Sequence, residues 1–312
     1  MKIQQAIEAY KQHKLVVIPT ETVYGLSAPI DDEQLIKKIF QLKERPFFDP
    51  LIVHVSDSHM AKNCVEKWPL IAEKLAKKFW PGPLTMVLPK NSDISDMITS
   101  GLDTVGVRCP NHPLTLELIK QMGKPIAAPS ANKFGKTSPT SIKHVQAEFS
   151  DDDVFFLDGG DCAVGIESTI IKIEEQKMIF LRKGAITPEM LGPIAEQFKY
   201  SIVLYHSEKI EAPGQVKHHY MPKIPMVLVF EKKNFDSMSM AAKALGKNVD
   251  DGVYLSLPDD PSLASRKLYS EMRVCAESGA EFICISFKEE WKNNQLWEAI
   301  LDRLTRASQV TC

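Results

Sequence analysis

Apolar residues fall along the chain in two patterns, short unbroken runs and helical stripes. Leu15-Val16-Val17-Ile18 is an unbroken run ended by Pro19, the pattern of a strand buried on both faces. Asp31 or Asp32 then stands where it can cap a helix carrying Leu35, Ile36, Ile39 and Phe40 on one face. The run at 51–55 reads as the next strand. The spacing of Ile71, Leu75 and Phe79 predicts a helix over 68–80, stopped by Pro81-Gly82-Pro83. Strands follow at 85–88 and 105–108, a helix at 113–122, and a short buried strand at 126–128. Runs at 154–157, 169–173 and 178–181 complete a strand-rich section. The order is neither strictly alternating nor all-β, so an α/β fold with a mixed sheet and flanking helices fits best.

Periodicity disappears between His206 and Pro222, a stretch holding Pro213, Gly214 and His218-His219-Tyr220. Beyond it, strands at 226–230, 253–257 and 282–286 alternate with helices at 237–245, 262–276 and 296–304. That is a small Rossmann-like βαβαβα unit with a parallel sheet. The organisation expected is a first unit over 1–205, an ordered linker over 206–224 and an α/β extension over 225–312. No internal repeat or low-complexity tract interrupts it.

Composition narrows the class. The chain has 312 residues, of which 44% are apolar and 25% charged, enough for two packed cores. The formal net charge of −2 excludes a global basic field that would draw the chain to nucleic acid or an anionic membrane. Six cysteines are scattered with no Cys-x-x-Cys pair, against a zinc knuckle or a disulfide framework. The N-terminus is amphipathic and lacks the apolar core of a signal peptide. No apolar run approaches the roughly 18–20 residues that span a bilayer. The expectation is a soluble cytoplasmic protein with no membrane association.

Chemistry gathers where strands end, the place where α/β sheets bind ligands. Pro19-Thr20-Glu21-Thr22-Val23-Tyr24-Gly25 offers two hydroxyls, a carboxylate and an aromatic wall, and equally suits a capped turn. Lys43-Glu44-Arg45-Pro46-Phe47-Phe48-Asp49-Pro50 sets two cations on a loop stiffened by prolines, which suits phosphate oxygens; cations also suit a helix C-terminus. Arg108 ends a strand of small residues and suits a carboxylate, a phosphate or a surface ion pair. In Pro129-Ser130-Ala131-Asn132-Lys133-Phe134-Gly135-Lys136-Thr137-Ser138-Pro139, Gly135-Lys136-Thr137 imitates a P-loop. Ser130 stands where that loop needs glycine, however, and Pro139 follows too closely for its helix. Gly165-Ile166-Glu167-Ser168 and Leu181-Arg182-Lys183 add a hydroxyl and two cations. The Asp151-Asp152-Asp153 run reads as a solvated turn, and the adjacent His218 and His219 make a poor metal pair.

In this order the segments resemble the YrdC-type threonylcarbamoyl-AMP synthase family, in its long form with a C-terminal extension domain. The resemblance runs from about Ile3 to Arg182 and through the stretch from Glu211 to Pro222. It implies a twisted mixed sheet around a cationic cavity, and a nucleotidyltransferase that makes threonylcarbamoyl-adenylate and pyrophosphate from L-threonine, bicarbonate or CO2, and ATP. The product would feed threonylcarbamoyladenosine synthesis at position 37 of tRNA through a downstream transfer machinery, with direct tRNA binding left open.

Residue by residue, the resemblance makes Lys43 and Arg45 catalytic and, with Ser130 and Asn132, phosphate-handling. It assigns Thr22, His54, Arg108 and Ser168 to threonine. Thr104, Ser138 and Arg182 go to the nucleotide, with His219 or Tyr220 closing over it. Asp49 falls among the ATP contacts, although the family more often has Asn there; an anion beside a nucleotide needs a partner. Mg2+ would accompany ATP, and no protein metal site is implied. The competing reading is a non-catalytic RNA-binding module of the same fold. The related hydrogenase-maturation carbamoyltransferases carry Cys-rich zinc segments that this chain lacks.

Overall fold

The computed structural model describes residues 1–150, 152–204, 211–214, 219–231 and 236–312. The first unit runs α1 (Lys2–Lys11), β1 (Leu15–Ile18), β2 (Gly25–Pro29), α2 (Glu33–Lys43), β3 (Ile52–His54), α3 (Ser58–Lys62), α4 (Leu70–Phe79), β4 (Leu84–Pro89), α5 (Asp96–Thr99) and β5 (Thr104–Arg108). It continues with α6 (Pro113–Met122), β6 (Ile126–Ala127), α7 (Ile142–Gln146), β7 (Val154–Phe156), β8 (Thr169–Glu174), β9 (Lys177–Arg182), α8 (Pro188–Gln197) and β10 (Ser201–Leu204). Its strands form one sheet in the order β10-β9-β8-β4-β5-β3-β6-β2-β1-β7. The sheet is mixed: β3 runs parallel to β5 and β4 parallel to β8, whereas β4 and β5, like β8 and β9, are antiparallel.

The second unit adds β11 (Met226–Phe230), α9 (Ser237–Leu245), β12 (Gly252–Tyr254), α10 (Pro261–Glu277), β13 (Phe282–Phe287), α11 (Gln295–Ala307) and β14 (Val310–Thr311). Its sheet, β12-β13-β11-β14, is parallel throughout, as the alternating pattern predicts.

Helices form where stripe and cap coincide. Asp32 accepts the Leu35 amide and opens α2, which buries Leu35, Ile36, Ile39 and Phe40. α4 starts at Leu70 rather than at 68, because Pro69 takes the N-cap position and the Trp68 indole donates instead to Glu73 Oε2 at 2.8 Å. The strand expected at 51–55 is confined to Ile52–His54, and that at 253–257 to Gly252–Tyr254. Several elements lack a sequence signal. β2 is built of Gly, Leu, Ser, Ala and Pro, and α8 contains Gly192 and Pro193.

A large core under the first sheet and a second around Leu228, Leu268, Ile283 and Trp297 hold the two units. Val23 and Ile166 of the first unit belong to the second core, beside Tyr220 and Tyr269. Ion pairs cross the junction between Arg273 and Glu148 (2.9 Å), Lys183 and Glu298 (2.7 Å), and Arg303 and Glu167 (3.0 Å). At Gly165 (φ +84°) the backbones themselves meet: a Cβ there would lie 2.4 Å from Arg266 Cα.

Of the linker read at 206–224, residues 206–210 and 215–218, including His218, lie outside the described residues, as do Tyr205 and Asp151. The described part is pinned from both sides. The Met221 amide donates to the Gly135 carbonyl at 2.8 Å, and the His219 amide to the Arg306 carbonyl at 3.3 Å. The P-loop imitation fails as expected: residues 134–135 form a turn, and the next helix starts only at Ile142.

Candidate active site

Strand register assembles the site. β3 and β5 are parallel neighbours with His54 opposite Arg108, and the β8–β9 hairpin sets Arg182 opposite Ile170, two residues from Ser168. These ends, with the loops after β1 and β6, border one cavity of about 50 Å³. Thr22, Arg45, His54, Arg108, Ser130, Ser168 and Arg182 line it, and linker residues Pro213, Gly214, His219 and Tyr220 close it.

One side is built of hydroxyls around an arginine. Arg108 ends β5, 4% exposed, with Nη2 2.8 Å from Glu21 Oε2; Glu21 also accepts the Asn111 amide at 3.0 Å. Thr20 Oγ1 lies 2.9 Å from Thr22 Oγ1 and donates to the Val23 carbonyl at 2.6 Å, which fixes the turn presenting Thr22. His54 Nδ1 is 3.2 Å from the Ile52 carbonyl. Burial and the neighbouring Arg108 push the His54 pKa down to about 3. It is therefore neutral near pH 7, and donation from Nδ1 leaves Nε2 as an acceptor. Ser168 Oγ lies 2.8 Å from Thr85 Oγ1 and accepts from Arg182 Nη2 at 3.1 Å.

The other side is cationic. Lys43, buried at the end of α2, donates through Nζ to the Ser130 carbonyl at 2.6 Å and to the Asn132 carbonyl. Burial first, and then Arg45, hold its pKa well below the ordinary lysine value. Arg45 is fixed by the Asp49 and Pro50 carbonyls at 3.0 and 2.8 Å and pairs with Asp49 Oδ2 at 2.9 Å. Asp49 thus has the partner that an anion beside a nucleotide requires, and burial pushes its carboxyl up against the pull of Arg45. Arg182 donates to the Ser168 carbonyl at 3.0 Å and to the Pro213 carbonyl at 3.1 Å, joining sheet to linker. His219 is pushed to a pKa of about 3, chiefly by burial.

Not every predicted residue reaches the cavity surface. Lys43, Asp49, Asn132 and Ser138 are absent from its lining and are held by protein partners. Asn132 Nδ2 donates to the Lys133 and Lys136 carbonyls at 2.7 and 2.9 Å, and Ser138 Oγ donates to Glu167 Oε1 at 2.6 Å. Thr104 is not brought to this cavity. It opens β5, which Arg108 closes, and it lines an adjoining recess past Ile52 and Pro213. The sequence offered Thr20 and Glu21 only as a hydroxyl and a carboxylate of their cluster, and gave no role to Glu167, although it stands inside a segment rich in candidate ligands.

A buried pocket with three arginines on its wall, a lysine behind it and neutral hydroxyls opposite suits a polyanion beside a small zwitterion. Known proteins carry the same pattern. The family model Sua5_yciO_yrdC, described as "Telomere recombination", matches residues 8–184, and Sua5_C, described as "Threonylcarbamoyl-AMP synthase, C-terminal domain", matches 186–309. A threonylcarbamoyl-AMP synthase of Pyrococcus abyssi is 36% identical over 98% of this chain and 94% of its own length. One of Bacillus subtilis is 40% identical over 73% of this chain and 66% of its own. The crystal structure of P. abyssi Sua5 complexed with L-threonine superposes with a TM-score of 0.88 at 33% identity, covering 99% of this chain and 96% of that one. With both of its units matched in order, this chain belongs to the Sua5/YciO/YrdC family, in the long form that carries the Sua5 C-terminal domain.

Proposed function

We propose that this protein is a threonylcarbamoyl-AMP synthase, joining L-threonine, bicarbonate or CO2, and ATP into threonylcarbamoyl-adenylate with release of pyrophosphate. The observation that carries the reading is the convergence of Arg45, Arg108 and Arg182 with Thr22, Ser130 and Ser168 on one cavity, beside the buried Lys43.

In this reading Arg108, oriented by Glu21, clamps the threonine carboxylate, while Thr22, neutral His54 and Ser168 hold the rest of the amino acid. The amine adds to CO2 and loses a proton to give a carbamate. A carbamate oxygen then attacks the α-phosphorus of ATP, and pyrophosphate leaves. Lys43, Arg45, Ser130 and Asn132 hold the phosphates, Asp49 acts through Arg45, and Arg182, Ser138 and Thr104 serve the nucleotide. Such a transfer needs positioning and charge neutralisation more than covalent help. No side chain is assigned as general base.

Mg2+ is proposed to enter with ATP, held by its phosphates. Glu21, Asp49 and Glu167 are each committed to an arginine, and no group of three or more His, Cys, Asp or Glu among the described residues could hold a metal. The described residues therefore offer the ion no cage, and among them phosphate neutralisation falls to Lys43, Arg45 and Arg182.

A cavity of about 50 Å³ is far below the roughly 300–1,000 Å³ typical of ligand pockets, so His219, Tyr220 and their neighbours must lift to admit ATP. Closed again, they would shield the labile adenylate from water. The adenylate is then passed to a cytoplasmic machinery that transfers its threonylcarbamoyl group to adenosine 37 of tRNA and releases AMP. No helix among the described residues is long and apolar enough to cross a membrane. The test is pyrophosphate release with ATP and bicarbonate, with and without threonine. Release that does not depend on threonine overturns the proposal.

A further inference from the structure

Glu167 is a buried carboxylate in the cavity wall, and the other unit supplies its counter-charge. Arg303 Nε on α11 donates to Glu167 Oε2 at 3.0 Å. Tyr269 Oη on α10 lies 3.1 and 3.0 Å from the two carboxylate oxygens, and Ser138 Oγ donates to Oε1 at 2.6 Å. Arg303 and Tyr269 have no exposed surface. The Arg303 guanidinium stands 5.6 Å over the Tyr220 ring, and its Nη1 reaches Asp302 Oδ2 at 3.1 Å.

Arg182 is the other arginine whose charge acts on Glu167. It donates to the Ser168 carbonyl, the Ser168 hydroxyl and the Pro213 carbonyl, and it has no carboxylate within ion-pair distance among the described residues. Its positive charge is thus left for an anion in the cavity. A buried carboxylate that loses its partner takes the nearest cation or a proton. Without Arg303, the cation within reach of Glu167's field is Arg182.

We infer that Arg303 is a positioning residue for nucleotide binding: by neutralising Glu167 it keeps Arg182 uncommitted and aimed at the cavity. The inference rests on the proposed synthase activity, in which the anion is ATP. It gives the C-terminal unit a part in substrate recognition, exerted through charge across the junction without contact to substrate.

The test uses the full chain with Arg303→Met, Tyr269→Phe and the double variant Glu167→Gln/Arg303→Met. Pyrophosphate release at saturating threonine gives kcat and the KM for ATP, and equilibrium dialysis gives ATP binding directly. Arg303→Met should raise the KM for ATP at least tenfold with kcat within threefold. Tyr269→Phe should raise it a few-fold, and the double variant should return it to within threefold of wild type. A merely structural loss would lower the active fraction, and with it apparent kcat, while leaving KM in place. The inference is overturned if folded Arg303→Met keeps the wild-type KM, or if the double variant is as impaired as the single one. Should Arg303→Met not fold, Tyr269→Phe decides, and an unchanged KM for ATP there overturns it. If wild type binds ATP but shows no threonine-dependent release, the synthase reading fails instead; dialysis against Arg303→Met still tests the inference.

Discussion

Replacing Arg108 by Met separates threonine recognition from the rest of the site. The side chain is 4% exposed, its Nη2 is 2.8 Å from Glu21, and it shares the cavity with Thr22, His54 and Ser168. Removing one member of a buried, hydrogen-bonded charge pair costs about 2–5 kcal/mol of binding. At about 1.36 kcal/mol per tenfold, the KM for threonine should rise by about 30- to 5,000-fold. The KM for ATP should stay within about threefold, because the phosphate cations lie on another wall. The same change strands Glu21 with only the Asn111 amide, and orphaning a buried charge costs about 3–5 kcal/mol of stability. The double variant Glu21→Gln/Arg108→Met removes both charges and should regain most of that stability without regaining threonine affinity. Pyrophosphate release against threonine at saturating ATP measures the first effect and urea denaturation the second. A folded Arg108→Met enzyme with a wild-type KM for threonine refutes the assignment.

Lys43 has a folded pKa below its unfolded one, so the unfolded chain holds more protons between the two values and stability rises with pH there; ATP affinity should run the other way, weakening as Lys43 loses its proton well below pH 10.5. A KM for ATP that stays flat at every pH up to 10.5 in wild type would contradict this. His54 and His219 are both held neutral down to about pH 3, against an unfolded value of 6.5, so folding excludes up to two protons in that window. Stability is full above pH 6.5 and should fall toward pH 5 with a slope of up to about 2.7 kcal/mol per pH unit from this pair; in denaturation at pH 7.5, 6 and 5, His219→Phe should show about half of it. Gly165→Ala should cost about 2–4 kcal/mol, combining left-handed strain with a 2.4 Å clash on Arg266, whereas Gly123→Ala, with the same hand of φ and open space around it, should cost only about 1–2. Equal losses in the two variants would show that the contact at Gly165 yields.

The parts of the fold legible in the sequence are those where local pattern and tertiary context agree. β1 ends where Pro19 ends it, and α2 begins where Asp32 caps it. The C-terminal unit alternates strand and helix as its apolar runs require. β2 escaped because small residues carry no strand preference; it is a strand because β1 and β6 bond to both its edges. The cations of the site were legible because arginines and lysines at strand and helix ends stand out against small residues. Their counter-charges were not, since Glu167 and Arg303 are 136 positions apart. A trace existed: Arg303 lies three residues after Ile300 and four before Ala307, on the buried stripe of α11. A cation on such a stripe calls for a buried carboxylate, though not for a particular one. Motif order does not show that Thr104 lines an adjoining recess, at the end of β5 opposite Arg108.

The bare approach of Gly165 to Arg266 has a mechanical consequence. Where main chain rests on main chain, no side chain can swing to accommodate sliding, so the contact resists shear between the units. Gly165 lies three residues before Ser168, on the same loop as Glu167. Ser168, assigned to threonine, would therefore keep its place against the second unit while the His219–Tyr220 arm lifts.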